Sequence, residues 1–315
     1  MPSRAEYIMQ CTCDDCKMKV NSIGIEVRPK NMNVIYRISD KGKTDHRIPG
    51  VSRRVCLKNF LQVFGRDNLK IIADNCEGDT YAMLNEQGLE YDITTLGNSG
   101  SLRRAVEIAS EWNGNIYFVE DDYIHREAAP LLITEGLALA EYVSLYDDPA
   151  KYGPSYDYGE TTQVRRTMAS HWRYTSGSRM TFATTAEVLR QDWETWMKWT
   201  QEDAPLCDPL FTELREQLRR IVTCIPGAAV HCDLGYSAFA GNCLIEDWTM
   251  DYIIMETLER ILDASPQSAG MALGLQQRYQ DDKLKLLGLL TTLEKEAALR
   301  KEREAASKSS EPLRL

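Results

Sequence analysis

Between residues 33 and 146, short β-branched and aromatic runs alternate with stretches of helical periodicity. Asn33-Val34-Ile35-Tyr36-Arg37-Ile38 reads as a buried strand, closed by the polar Ser39-Asp40-Lys41-Gly42-Lys43. Val55, Leu57, Phe60, Leu61 and Phe64 then recur at helical spacing, with Gly65 as the stop. Leu69-Lys70-Ile71-Ile72-Ala73 is a second strand ended by Asp74-Asn75, and a weaker third is predicted near 89–94. Gly97-Asn98-Ser99-Gly100-Ser101 reads as a turn whose Ser99 or Ser101 caps a helix over 102–112. Asn115-Ile116-Tyr117-Phe118-Val119 is the clearest buried strand and runs straight into Glu120-Asp121-Asp122. Strands alternating with helices predict an α/β fold with a mostly parallel sheet. In such sheets ligands bind beyond the carboxyl ends of the strands. Here those ends carry Ser39-Asp40, Asp74-Asn75 and Glu120-Asp121-Asp122.

Beyond residue 146 the pattern loosens. Residues 147–159, rich in Tyr, Asp, Pro and Gly, read as an ordered loop on the substrate side. Short strands are predicted around 162–168 and 179–183, followed by a helix carrying Trp193, Trp196 and Trp199. Their three-residue spacing suits one packed helix face better than a sugar-stacking platform. An acidic loop over 200–209 precedes a helix predicted over 210–222. From 271 to 307 the pattern is helical and charged, with Leu286, Leu290, Leu293 and Ala297 as a narrow apolar stripe. That segment reads as a helical appendage or a homo-oligomerisation arm.

Composition narrows the function classes. The 315 residues carry a net charge of −10, which argues against a whole-surface nucleic-acid binder. The doublets Arg53-Arg54, Arg103-Arg104 and Arg165-Arg166 leave a local basic groove open, though such pairs are more often solvated surface. No apolar run approaches the ~18–20 residues that span a bilayer, and MPSRAEYIMQ lacks a signal-peptide core. The nine cysteines are odd in number and irregularly spaced, so reduced thiols and a cytoplasmic location are expected. Cys11, Cys13 and Cys16 form C-x-C-x-x-C, which with Cys56 or Cys76 could ligate zinc. No second paired motif follows, and free thiols are favoured. Gly97-x-x-Gly100 lacks the spacing and lysine of a phosphate-binding loop.

Three consecutive acids at a strand end repel one another unless a cation sits among them. Hard divalent ions take carboxylate oxygens, and Mg²⁺ or Mn²⁺ commonly adds substrate phosphate oxygens. The competing reading is a solvated turn.

The stretch LGNSGSLRRAVEIASEWNGNIYFVEDDYIH resembles the central block of GT-A glycosyltransferases, in which a strand ends in a metal-binding Asp-x-Asp motif. Here the first acid of that motif is Glu120. YRISDKGK and IIADN resemble the same family's first two strand ends, which hold the nucleotide base and ribose. The resemblance is similar in character to small viral and bacterial family-2-like enzymes and covers about 33–152, becoming patchy to 248. It implies a GT-A (Rossmann-like) domain over 33–265, divided into a nucleotide-binding half (33–146) and an acceptor half (147–265). An extension over 1–32 and a helical tail over 266–315 flank it. It further implies nucleotide-sugar contacts from Arg37, Ser39, Asp74, Asn98, Ser101, Glu120 and Asp121, and a Mn²⁺ or Mg²⁺ ion held by Asp122 and His231. A histidine in an apolar run such as Ala228-Ala229-Val230-His231-Cys232 is otherwise a core residue. His171 is a weaker candidate for a donor or acceptor contact, and neither His125 nor His46 is assigned a role.

An inverting transfer needs a base for the acceptor hydroxyl, and the resemblance places it among residues 201–209. Asp203 and Asp208 are the candidates, Asp208 doubling as a helix cap before Pro209. The implied activity is metal-dependent transfer of a sugar from a UDP- or GDP-type donor to a hydroxyl acceptor. That acceptor is a glycan, a lipid-linked saccharide, a protein or a hydroxylated DNA base. The competing classes are nucleotidyl transfer and a catalytically inactive nucleotide-sugar-binding module.

Overall fold

The computed structural model describes residues 32–41, 48–152, 163–201, 208–232, 247–279 and 282–309. Cys11, Cys13, Cys16, His46 and Asp203 lie outside the described residues. Contacts divide the chain into two units, Met1–Asp45 with Cys56–His231 and His46–Val55 with Cys232–Leu315.

The first unit is built on the strands expected from the sequence. β1 (Met32–Ser39) pairs in parallel with β2 (Leu69–Asp74) on one side and β4 (Asn115–Glu120) on the other, and β3 (Asp92–Thr94) extends β2. Along β1, Val34, Tyr36 and Ile38 enter one apolar cluster and Ile35 the other. Ile72 and Phe118 join Ile35, whereas Ile71 and Val119 join Tyr36. A period of two thus feeds both faces, which is why these strands are apolar nearly throughout. α1 (Arg53–Phe64) lays Leu57 and Phe60 on the first face, and Gly65 ends it at φ 81°, a conformation glycine adopts without a Cβ clash. α2 (Gly78–Glu86) follows β2, and α3 (Gly97–Ser110) covers the second face with Leu102, Ala105, Val106 and Ala109.

The sheet continues across β4 in the order β3-β2-β1-β4-β9-β6-β10-β8-β7. Its far half comprises β6 (Tyr142–Ser144), β7 (Val164–Arg166), β8 (His171–Tyr174), β9 (Phe182–Thr185) and β10 (Ile221–Ile225). Only β9 and β8 run against the common direction. The α/β class, with a largely parallel sheet, flanking helices and a C-terminal helix, is therefore the one expected.

Several local expectations are corrected. α3 begins at Gly97, not 102, so Ser99 and Ser101 lie inside the helix and Leu96 occupies the cap position. The helix expected over 210–222 is α7 (Asp208–Glu216) followed by the buried strand β10. Leu218 takes φ 64° and ends the helical path, and the β-branched Ile221-Val222-Thr223 then fits between β6 and β8. β8 went unrecognised. α5 (Ala186–Gln191) precedes α6 (Trp193–Trp199), which carries all three tryptophans, and Trp196 is fully buried against Phe182, centroids 5.2 Å apart. That matches the packed-face reading.

A small second sheet stands apart from the first. β5 (Tyr123–His125) pairs antiparallel with β11 (Ala229–His231), setting His231 opposite Tyr123. α4 (Ala129–Leu137) follows β5.

In the second unit, α8 (Asp247–Ala264), α9 (Pro266–Arg278) and α10 (Lys283–Ser309) pack on one another. Leu286, Leu290, Leu293 and Ala297 are buried there, and Arg260 of α8 pairs with Glu294 of α10. The stripe, read as that of a helical appendage or a homo-oligomerisation arm, is covered within its own unit. No helix among the described residues is long and apolar enough to cross a membrane.

Candidate functional site

At the end of β2, Asp74 is buried and both of its oxygens are engaged. Oδ1 accepts from Thr94 Oγ1 (2.8 Å) and the Leu96 N–H (2.6 Å), and Oδ2 from the Gly97 N–H (3.0 Å) and Asn75 Nδ2 (2.7 Å). The carboxylate thereby fixes the start of α3. Expected to touch base or ribose, Asp74 acts in this geometry on the turn. Asp40 does the same for α2, accepting from the Glu77 N–H (2.6 Å) and Thr80 Oγ1 (2.9 Å).

Arg37, one turn of pleat before the end of β1, reaches across the edge while only 6% exposed. Its Nη2 donates to the Asn98 carbonyl (2.9 Å), Asn98 Oδ1 (2.7 Å) and Ser101 Oγ (3.1 Å), and its Nη1 lies 3.4 Å from Glu120 Oε1. One guanidinium thus joins β1, the first turn of α3 and the end of β4. Ser101 is buried and its hydroxyl donates to the Asn98 carbonyl (3.2 Å), whereas the Asn98 side chain is exposed.

The acidic run follows. The Glu120 N–H donates to Thr181 Oγ1 (3.2 Å), and the Ser39 N–H to Asp121 Oδ2 (3.4 Å), tying the cluster to β1 and to the segment before β9. Asp121 is fully buried and Asp122 nearly so. Asp122 Oδ2 lies 3.5 Å from His231 Nε2, across the β5–β11 pairing. The Tyr123 ring sits 4.8 Å from the His231 ring, and burial together with the Asp122 and Glu120 carboxylates pushes its phenol well above the usual range. Tyr123 is therefore a neutral donor, and its hydroxyl reaches the Arg179 carbonyl (3.3 Å). The structure brings Arg37, Ser39, Asn98, Ser101, Glu120, Asp121, Asp122 and His231 to the carboxyl edge of one unit.

The other histidines differ. His125 is buried, its Nε2 2.7 Å from the Tyr117 hydroxyl, and burial drives it down to about 3, so it is a neutral core group. His171 opens β8 opposite Ile225 and is exposed. Asp208 opens α7, but its side chain is outside the described residues.

Sequence reading missed a second set of polar groups. Arg173, 1% exposed in β8, donates through Nε (3.0 Å) and Nη2 (2.7 Å) to Asp147 Oδ1, with Tyr152 stacked beneath its guanidinium. Burial alone would ease its proton off, but the Asp147 carboxylate outweighs that and holds it above its usual value. Arg179 pairs with the buried Asp148 (3.1 Å), and both line a small pocket with Lys151 and Thr175. Asn59 is also new: its side chain clamps the His125 backbone, accepting from N–H (2.6 Å) and donating to C=O (3.1 Å). An Asp-Asp pair after a strand was a usable signal; the arginine partners were not.

Among the described residues no group of three or more His, Cys, Asp or Glu side chains is arranged to hold a metal ion. The Asp122–His231 pair offers one carboxylate oxygen and one imidazole nitrogen, a donor set that suits Mn²⁺ when phosphate and water oxygens complete the shell.

No protein-family model matches the chain, and no curated protein matches its sequence. Among solved structures it is similar to a nucleotidyl transferase from Methanothermobacter thermautotroptrophicus (15% identity, 61% of this chain and 86% of that chain, TM-score 0.40). It is also similar to 4-diphosphocytidyl-2C-methyl-D-erythritol synthase from Anaerococcus prevotii (12% identity, 71% and 94%, TM-score 0.40). A third likeness is to the galactosyltransferase LgtC in complex with donor and acceptor sugar analogs (9% identity, 61% and 73%, TM-score 0.35). At these identities and scores the likenesses carry no information on substrate or reaction.

Proposed function

We propose that the chain is a metal-dependent glycosyltransferase that moves a sugar from a nucleotide-diphosphate donor to a hydroxyl acceptor, with inversion. The observation that supports this most is the meeting of Asp122 and His231, 3.5 Å apart at the edge where Glu120 and Asp121 also end. Ligands bind at this edge in α/β sheets, and a buried acid pair beside an imidazole is chemistry for a cation. Asp122 and His231 would hold Mn²⁺ or Mg²⁺, which when bound neutralises the diphosphate leaving group. Arg37 and Asp74 organise the donor side: the first anchors Asn98 and Ser101, the second the start of α3. Ser39, Glu120 and Asp121 complete the wall facing the donor. In the transfer, the anomeric carbon–oxygen bond to the diphosphate breaks with its electron pair leaving on oxygen. The acceptor oxygen bonds to that carbon and gives its proton to Asp208 or Asp203.

The test is a donor screen of UDP-, GDP- and CDP-sugars with and without Mn²⁺, on the wild type and on Asp122→Asn. Metal-dependent donor turnover that Asp122→Asn nearly abolishes is the expected result. Undiminished activity of that variant in a chelator overturns the metal assignment. Tight nucleotide binding without transfer to any acceptor selects the inactive-module reading. Asp208→Ala and Asp203→Ala then locate the base: loss of the right one lowers kcat roughly 10²–10⁴-fold and leaves donor affinity unchanged.

A further inference from the structure

Asn98 is exposed at the carboxyl edge, yet its amide has a defined orientation. Arg37 Nη2 lies 2.7 Å from one end of that amide. A guanidinium has only donors, so the end it touches must be the oxygen. The same Nη2 also holds the Asn98 backbone carbonyl at 2.9 Å, and Ser101 Oγ donates to that carbonyl at 3.2 Å, so backbone and side chain are pinned together. Arg37 itself cannot swing away, being 6% exposed in the middle of a three-stranded parallel stretch and fixed on its other arm near Glu120. The amide Nδ2, by contrast, has no protein acceptor among the described residues and remains at the exposed end of the side chain.

We infer that Asn98 is a specificity-determining residue that presents its NH₂ as a hydrogen-bond donor to a ligand oxygen, with Arg37 as the positioning residue that sets this polarity. The inference rests on the donor-binding reading above and names what that site selects: a ligand whose oxygen accepts at this point, from the diphosphate or from the nucleoside. A flipped amide would face Arg37 with two N–H groups and is excluded by like polarity. The device explains why an asparagine stands here. Aspartate would pair with Arg37 as well or better but would turn an anionic oxygen toward the ligand, and serine would be too short to span both.

The experiment is calorimetric titration of the full chain with UDP, GDP and CDP in Mg²⁺, repeated with the matching nucleosides, on wild type, Asn98→Asp and Asn98→Ala. Thermal melts without ligand accompany each variant. Asn98→Asp keeps the Arg37 contact, so its melting temperature should equal or exceed that of the wild type. Its affinity for the preferred nucleotide should nevertheless fall about 30–100-fold, and that of Asn98→Ala about 5–10-fold, as expected for reversing versus deleting one hydrogen bond. A loss confined to the nucleotide places the contact on the diphosphate; an equal loss with the nucleoside places it on base or ribose. Wild-type affinity in Asn98→Asp, with a normal melt, overturns the inference while leaving the donor-binding reading intact. Failure of wild type to bind any nucleotide overturns that reading and the inference with it.

Discussion

Two buried arginines divide the carboxyl edge between them, and they use their charge differently. Arg173 aims two nitrogens at a single carboxylate oxygen of Asp147, at 3.0 and 2.7 Å, and pins β8 to the loop after β6. Arg37 spreads one nitrogen over Asn98 and Ser101 and meets Glu120 at a longer 3.4 Å. The first is a close charge-assisted pair, which is strong and local. The second is a hub of carbonyl, amide and hydroxyl oxygens across three segments, each contact modest alone. A staple of the first kind fixes backbone; a hub of the second fixes the polarity of side chains that face outward. On the proposed reading, Arg173 serves stability and Arg37 the site.

Three measurements would break or sharpen that division. Acid comes first, because it carries the largest expected effect, though it acts on a core group outside both regions. His125 titrates near 6.5 when unfolded but near 3 when folded, through burial. The unfolded chain therefore binds a proton that the folded chain refuses, so stability is full above about pH 6.5 and declines toward pH 3. The limit is roughly 4–5 kcal/mol. Urea unfolding at pH 7, 5 and 4 should show a shallower decline in His125→Gln than in wild type; equal slopes would remove this histidine from the account. With that contribution subtracted, Arg173→Leu should cost about 3–5 kcal/mol by stranding Asp147, while nucleotide affinity, read by calorimetry below the melt, stays within about twofold of wild type. A large affinity loss in the folded variant would merge the two regions. Arg37→Lys is the converse. Retaining charge but not the fork, it should cost only about 1–2 kcal/mol yet weaken nucleotide binding about tenfold through loss of the Asn98 orientation. If stability falls and binding does not, Arg37 is a staple too.

What could be read in advance follows the range of the forces involved. β1, β2 and β4 were legible because each is a dense apolar run closed by acids, and an acid at such an end has few places to go but the ligand edge. Asp122 and His231 were paired only through the family resemblance. Nothing local says that β11 lies against β5, since Ala229-Val230-His231 is too short to announce its partner. β10 was mistaken for helix because α7 precedes it at helical spacing and the break at Leu218 is a non-glycine residue in the left-handed region, which carries no signature. The tail stripe was legible as apolar but its cover was not, because α8 lies some thirty residues upstream in a stretch whose role only packing reveals.

The sequence by itself determined the α/β class, the strands that end in acids and the carboxyl edge, where ligands of such sheets bind. Periodicity and burial are local properties, repeated every two or four residues, and the hydrophobic effect enforces them whatever the chain does elsewhere. Only the tertiary structure decided which oxygens are already engaged. Asp74 at a strand end and Asn98 in the turn that opens α3 look equally available as polar residues, yet four protein donors saturate the first, whereas one arginine turns the second outward. Hydrogen bonds are short and directional, so which partner satisfies a group depends on positions fixed by segments tens of residues apart.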